Sequence, residues 1–265
     1  MKAEYDLALA DIRGGLMNWP MWSRLGWREI KVRYRRTVFG PFWNTLSLAV
    51  FILAISVVWA MLWNMPLREF LPFVTAGMLT WTLIAALVSE GTTVFTSAET
   101  LIKSLKFPYT TLTCALVCKN TLMFAHNLVI YVLVVLFTGV KLTWASLLFF
   151  PGLLIVFLNG LWVATLFGLF GARFRDVPLL ITTLLQVMLF ITPVFWTYEQ
   201  LKGKLGLVLI KGNLLLQFIE VLRMPMLGRA PELYSWIAVL AVTVLGWAAT
   251  LYMYARFRRR VPYWL

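Results

Sequence analysis

Residues 42–63 read FWNTLSLAVFILAISVVWAMLW, an apolar run without a charged side chain. At about 1.5 Å of rise per residue, a helix of this length crosses the roughly 30 Å hydrocarbon core of a bilayer. Five further runs of the same character follow at 71–88, 112–138, 144–171, 177–196 and 233–254. Together they occupy most of the 265 residues, so the expected fold is all-α, an integral membrane protein with six transmembrane helices. One domain uses the whole chain, 1–265. Residues 1–41 form a cytoplasmic tail and interfacial helix, 42–254 the membrane bundle, and 255–265 a second cytoplasmic tail. The composition agrees: 61% of residues are hydrophobic and 13% charged, against roughly half and a quarter in soluble domains. No repeat of fixed period and no low-complexity linker divides the chain.

The 24 Lys and Arg outnumber the 11 Asp and Glu, a formal net charge of +13. These bases stand between apolar runs and not on a polar domain with interleaved aromatics, so no nucleic-acid partner is expected. They read as topology signals. No apolar core precedes position 42, which predicts no cleavable leader and a cytoplasmic N-terminus. On that basis segments 1–41, 90–111, 172–176 and the tail from Arg256 place 8, 2, 2 and 4 bases inside. Arg68, Lys141, Lys202, Lys204, Lys211, Arg223 and Arg229 fall outside and Lys119 lies within the third run, an asymmetry that fits the positive-inside rule. Both termini are therefore assigned to the cytoplasm.

Residues 205–224 are apolar but interrupted by Lys211-Gly212 and carry Gln217, Glu220 and Arg223. A full crossing here would put the basic tail on the wrong side. The stretch is expected to form two short re-entrant helices between the fifth and sixth spans, with an amphipathic hairpin on the outer surface as the alternative.

Ahead of the first span, Trp27, Ile30, Tyr34 and Val38 recur at helical spacing beside a stripe of Arg24, Arg28, Lys31 and Arg35, with Arg33 and Arg36 further round. This predicts an amphipathic interfacial helix, acting as an orientation anchor or also as a guide for an anionic lipid head. In the loop 90–111, Thr96 and Glu99 stand at capping-box spacing, and the segment through Thr100, Ile102 and Lys103 runs to Pro108. A short capped helix is expected there. Along the third run Asn120, Phe124, Asn127 and Tyr131 share one helical face, and Thr182, Gln186 and Pro193 make a thinner stripe on the fifth. Such groups within a membrane face a hydrated cavity, where amides and aromatics suit sugars, or serve as polar glue between helices.

Cys114 and Cys118 lie one helical turn apart in an apolar run and are expected as packing thiols. His126 has no Cys or carboxylate at ligand spacing, so no metal site is expected. The sequence contains no G-x-x-x-x-G-K-[ST] phosphate loop, and Asp176 and Glu90 read as isolated carboxylates, which weighs against ATP hydrolysis or bond-making chemistry by this chain.

The stretch Arg33-Tyr34-Arg35-Arg36-Thr37-Val38-Phe39-Gly40-Pro41-Phe42-Trp43 resembles the permease subunits of type 2 ABC polysaccharide exporters, which move O-antigens, capsules and teichoic acids. Leu105-Lys106-Phe107-Pro108, Gly171-Ala172-Arg173-Phe174-Arg175-Asp176 and Thr192-Pro193-Val194-Phe195-Trp196 agree with it, each at the corresponding place in the topology. The resemblance implies a homodimer with two ATP-binding cassette subunits, ATP and magnesium being bound by those partners and no cofactor by this chain. It implies a coupling helix around Glu99, Thr100, Ile102, Lys103 and Phe107, and lipid-head access at Arg28, Lys31, Arg33, Arg35 and Arg36. A tunnel lined by Asn120, Phe124, Asn127, Tyr131 and Gln186 is implied too, with a cytoplasmic loop of Arg173, Arg175 and Asp176 and an exit region of Thr192, Pro193, Phe195 and Trp196. At the opening of the coupling segment, where the family carries Asn, this chain has Glu99-Thr100.

The expected function is thus the permease half of an ATP-driven exporter of a lipid-linked polysaccharide, foremost an O-antigen, in the bacterial inner membrane. A membrane-embedded glycan-assembly transferase and a drug or small-lipid ABC exporter are the alternatives.

Overall fold

The computed structural model describes residues 2–197 and 211–265. Among these the chain is helical, with no strand. Two helices, α1 (Lys2–Met17) and α2 (Trp19–Arg33), precede the apolar runs. The bundle follows as α3 (Phe42–Leu62), α4 (Leu67–Gly91), a short α5 (Glu99–Ser104), α6 (Thr110–Thr138), α7 (Phe149–Arg173), α8 (Val177–Ile191), α9 (Leu214–Met226) and α10 (Leu233–Phe257). A 3-10 turn, Arg258–Arg260, leads into the last helix, α11 (Val261–Trp264).

Among the described residues five helical stretches are long and apolar enough to cross a membrane: Phe42–Leu62, Leu67–Gly91, Thr110–Thr138, Trp144–Arg173 and Leu233–Trp264. The fifth expected run is shorter than its 177–196 reading. Helix α8 has 15 residues, about 22 Å of rise, because Thr192 turns extended (φ −81°, ψ 132°) ahead of Pro193, the conformation a following proline favours. The second run is longer than read, since Pro66 opens α4 and the polar start Leu67-Arg68-Glu69 is already helical. Of the two short helices expected between the fifth and sixth runs, 205–210 lies outside the described residues. The second is α9, whose Asn213 side chain caps its start by accepting from the Leu216 amide at 3.1 Å. Helix α9 is buried from Leu216 to Arg223, packed against α4, α7 and α10.

Helix α4 is the centre of the bundle. Of its most apolar window 67% is buried, against 22% in α3, because α3, α6, α7, α8 and α9 all pack on it. Apolar contact alone gives helices no preference for one another over lipid, so close backbone approach and polar links must hold them. Gly77 supplies one such approach: a Cβ there would lie 2.5 Å from the Val194 carbonyl oxygen. Gly26 supplies another, admitting α2 against α6 where a Cβ would meet the Ala115 carbonyl oxygen at 2.8 Å.

The interfacial helix departs from its reading. It ends at Arg33, and Arg36 takes a left-handed φ of 69°, so Tyr34 and Val38 lie beyond it and Val38 is 91% exposed. Its buried face is Gly26 and Ile30, turned to α6, while Trp27 points outward under the Lys31 ammonium, 5.7 Å from the ring centre. The predicted capping box is also absent. Ala98, not Thr96, precedes α5, and Thr96 Oγ1 donates instead to the Thr93 carbonyl at 3.0 Å, closing a turn of its own. The box that forms is at Thr143 and Ser146, opening the 3-10 turn ahead of α7.

Candidate functional site

Three polar clusters interrupt the apolar packing, and each joins segments far apart in sequence. The first is built on α4, α6 and α2. Glu90, near the end of α4, accepts from Arg33 Nη2 at 2.8 Å, from Asn120 Nδ2 at 3.0 Å and from Lys119 Nζ at 2.9 Å. Lys119 also reaches Glu29 Oε2 at 2.7 Å, and its side chain is only 9% exposed. A charge so enclosed needs this pairing, because its desolvation is offset only by close partners. The Glu90 hydrogen bond raises the Arg33 pKa above its ordinary value. Glu90 is therefore far from isolated. From α4 it is the common acceptor for α2 and α6.

Above this cluster a cavity of about 100 Å³ is lined by Arg33, Asn44, Thr82, Glu90, Asn120, Phe124 and Asn127, among others. Sequence reading assigned Arg33 to lipid access and Asn120, Phe124 and Asn127 to a tunnel. The fold brings all four to one small polar chamber. Asn127 Oδ1 accepts from Thr45 Oγ1 at 2.7 Å and from Asn44 Nδ2 at 3.3 Å, and Thr45 Oγ1 lies 2.7 Å from His126 Nδ1. Phe124 stacks on Phe149, centres 6.3 Å apart, and the Tyr131 hydroxyl donates to the Met226 carbonyl. Within one copy of the chain these residues tie helices together. Gln186 is separate from them, exposed on α8.

The second cluster lies at the start of α6. Asp11, buried on α1, accepts from the backbone amides of Tyr109 and Thr110, both at 3.1 Å, and from the Tyr254 hydroxyl at 2.8 Å. It also accepts from Arg258 Nε at 2.7 Å. One carboxylate thus caps the start of α6, where free N–H groups favour an anion, and fastens α1 and the last helices to it. Burial of Tyr109 in this cluster raises its phenol pKa. The adjoining α5 presents Glu99 and Lys103 as an exposed pair 2.6 Å apart, buries Ile102 and leaves Thr100 exposed. Phe107 packs edge-on to Tyr109. A groove of about 810 Å³ runs between α5, the 105–109 segment, α1 and the tail residues Pro262 and Tyr263. In the segment before α8, Arg173 lies over the rings of Phe174 and Trp264, and Arg175 and Asp176 are exposed.

The third cluster sits where α8 ends. Arg223, fully buried, is held by Glu220, donates to the Pro193 carbonyl at 2.7 Å and lies 4.1 Å from the centre of the Phe73 ring. Thr192 Oγ1 accepts from Asn213 Nδ2 at 2.9 Å, Phe195 stacks at 6.0 Å on Trp59, and Trp196 donates its indole N–H to the Phe190 carbonyl. The residues read as an exit region are thus the fastening between α8 and α9.

A helical bundle with charged groups gathered at its helix ends suits a transport domain, and the comparison with known families decides which. A family model described as ABC-2 type transporter matches residues 22–227. The chain belongs to the ABC-2 type transporter family. Similar proteins include the O-antigen export system permease protein RfbA of Myxococcus xanthus, 27% identical over 84% of this chain and 87% of the relative. The protein of the same name from Klebsiella pneumoniae is 20% identical over 88% of each.

In this ABC-2 transporter the four segments that carried the resemblance lie at the three clusters or at the chain's turns. Sequence reading missed Asp11 altogether, and treated Glu90 and Lys119 apart. A signal was present: an acid in an N-terminal helix with no base three or four residues away, and a lone Lys inside an apolar run, each call for a distant partner.

Proposed function

We propose that the chain is the permease subunit of an ATP-driven exporter that moves a lipid-linked polysaccharide, foremost an O-antigen, across the bacterial inner membrane. Two copies enclose the tunnel, and two ATP-binding cassette subunits, which hold ATP and magnesium, dock on the face of α5. Helix α8 completes a sixth crossing, and both termini face the cytoplasm. The family membership and the printed names of both relatives support this reading.

The observation that carries it furthest is α8. This helix buries none of its residues within the chain, and it exposes Thr182, Thr183 and Gln186, the Gln186 amide having no hydrogen-bond partner among the described residues. Lipid exposure of an amide is costly, so the helix is suited to face water or a second copy. The test has two parts. The chain co-expressed with the neighbouring ATP-binding subunit is expected to purify with it in equal proportion, and a Gln186→Cys variant to cross-link between copies in membranes. Turnover of a glycan substrate by the lone chain, with no associated ATP-binding subunit, would overturn the proposal in favour of a transferase.

A further inference from the structure

We infer that the surface between α3 and α6 is a binding site for one membrane lipid with a phosphate-bearing, anionic head. Helix α3 leans on α4 and packs far less on α6, which leaves a groove of about 570 Å³ between them. Its walls are Leu46, Ala49 and Leu53 of α3 and Leu133 and Phe137 of α6, with Leu71 of α4 as floor. Leu46, Leu53 and Leu133 are about half exposed and Phe137 is 80% exposed, while Ala49 and Leu71 lie deeper. The groove is shaped and lined for an acyl chain.

At its mouth the groove shares Arg68 and Thr138 with a second cavity of about 500 Å³, which also takes in Lys141, Arg229 and Glu69. Three bases therefore face one acid. Arg68, Lys141 and Arg229 are exposed, and no ion pair joins any of them to another described residue. Arg68 lies in the first turn of α4, whose free N–H groups add to the positive potential. Groove and basic mouth are continuous, as the tail and head of one amphiphile are.

A second copy of the chain fits the same surface poorly. A two-fold contact would bring the three bases towards their own equivalents. At this end of the bundle the described acids, besides the buried Glu220, are Glu69 and Glu232.

Native mass spectrometry of the detergent-solubilised full chain, loaded with phosphatidylglycerol, tests the site. Wild type is expected to retain one phosphatidylglycerol in preference to phosphatidylcholine. Each of Arg68→Gln, Lys141→Gln and Arg229→Gln is expected to lower retention about fivefold. Ala49→Trp, which fills the groove and leaves the bases alone, is expected to lower it as well, while glycerophosphate without a tail shows no binding. Equal retention of the two lipids, or unchanged retention in the Gln variants, would overturn the site. So would loss on charge removal with none in Ala49→Trp, which would mean a head contact alone. A change in copy number with Ala49→Trp, read from the same spectra, would assign the groove to a second copy instead.

Discussion

Glu90 and Lys119 stand 2.9 Å apart, one in the last turn of α4 and the other on α6, and the whole excursion that carries α5 lies between them. Their ion pair closes the base of that excursion. Glu90 also holds Arg33, so the same carboxylate ties the base of that excursion to α2, beside the Lys119–Glu29 pair.

Replacing Glu90 by Leu should leave Lys119 enclosed with only the exposed Glu29 for company. A loss of about 3 kcal/mol is expected, against less than about 1 kcal/mol for Glu29→Gln, whose side chain is 53% exposed. Thermal unfolding in detergent, followed by tryptophan fluorescence, measures both. Equal effects would show that Glu90 is not the principal partner.

Asp11→Asn keeps an acceptor for the amides at the start of α6 but removes the charge that holds Arg258. The expected cost is about 1–2 kcal/mol, with faster proteolytic removal of the tail. Asp11→Ala, which also uncaps α6, should cost about 1 kcal/mol more.

Docking of an ATP-binding subunit on α5 is tested cleanly at Glu99, since Ile102 is buried and its replacement by Asp would disturb the fold directly. Glu99→Lys sets two bases one turn apart, a change of a few tenths of a kcal/mol. Stimulated ATP hydrolysis and export should fall while the unfolding temperature stays put. Unchanged stimulation would remove Glu99 from the docking face.

Arg223→Met strands the Glu220 carboxylate and should cost about 3–5 kcal/mol, whereas the double variant Arg223→Met, Glu220→Leu should recover most of that loss. The same unfolding assay reads the cycle. Additive losses would mean the two side chains act independently.

The six apolar runs were legible because each is a long block with no charge, or in the third run with Lys119 alone, and five reappear as helical stretches long and apolar enough to cross a membrane. The break after α8 was hidden by Val194, Phe195 and Trp196, which continue the apolar run past the proline. Composition could not show that Thr192-Pro193 ends the helix. The helix ahead of the first span was found, but its periodicity ran on through Tyr34 and Val38, past its end at Arg33 and the left-handed Arg36. Least legible were the pairings. Asp11 with Arg258, and Glu29 with Lys119, are separated by most of the chain or by several helices, and no local pattern links them.

The seat of Val194 against Gly77 has a mechanical corollary. With the carbonyl pressed on α4 and Arg223 clamping Pro193, the break is a fixed pivot. Helix α8, which buries none of its own side chains, is the arm attached to it. That arm rests on the core through partly buried side chains, Leu185, Met188 and Leu189 among them, so a change in its angle would disturb less packing than a shift of the enclosed α4.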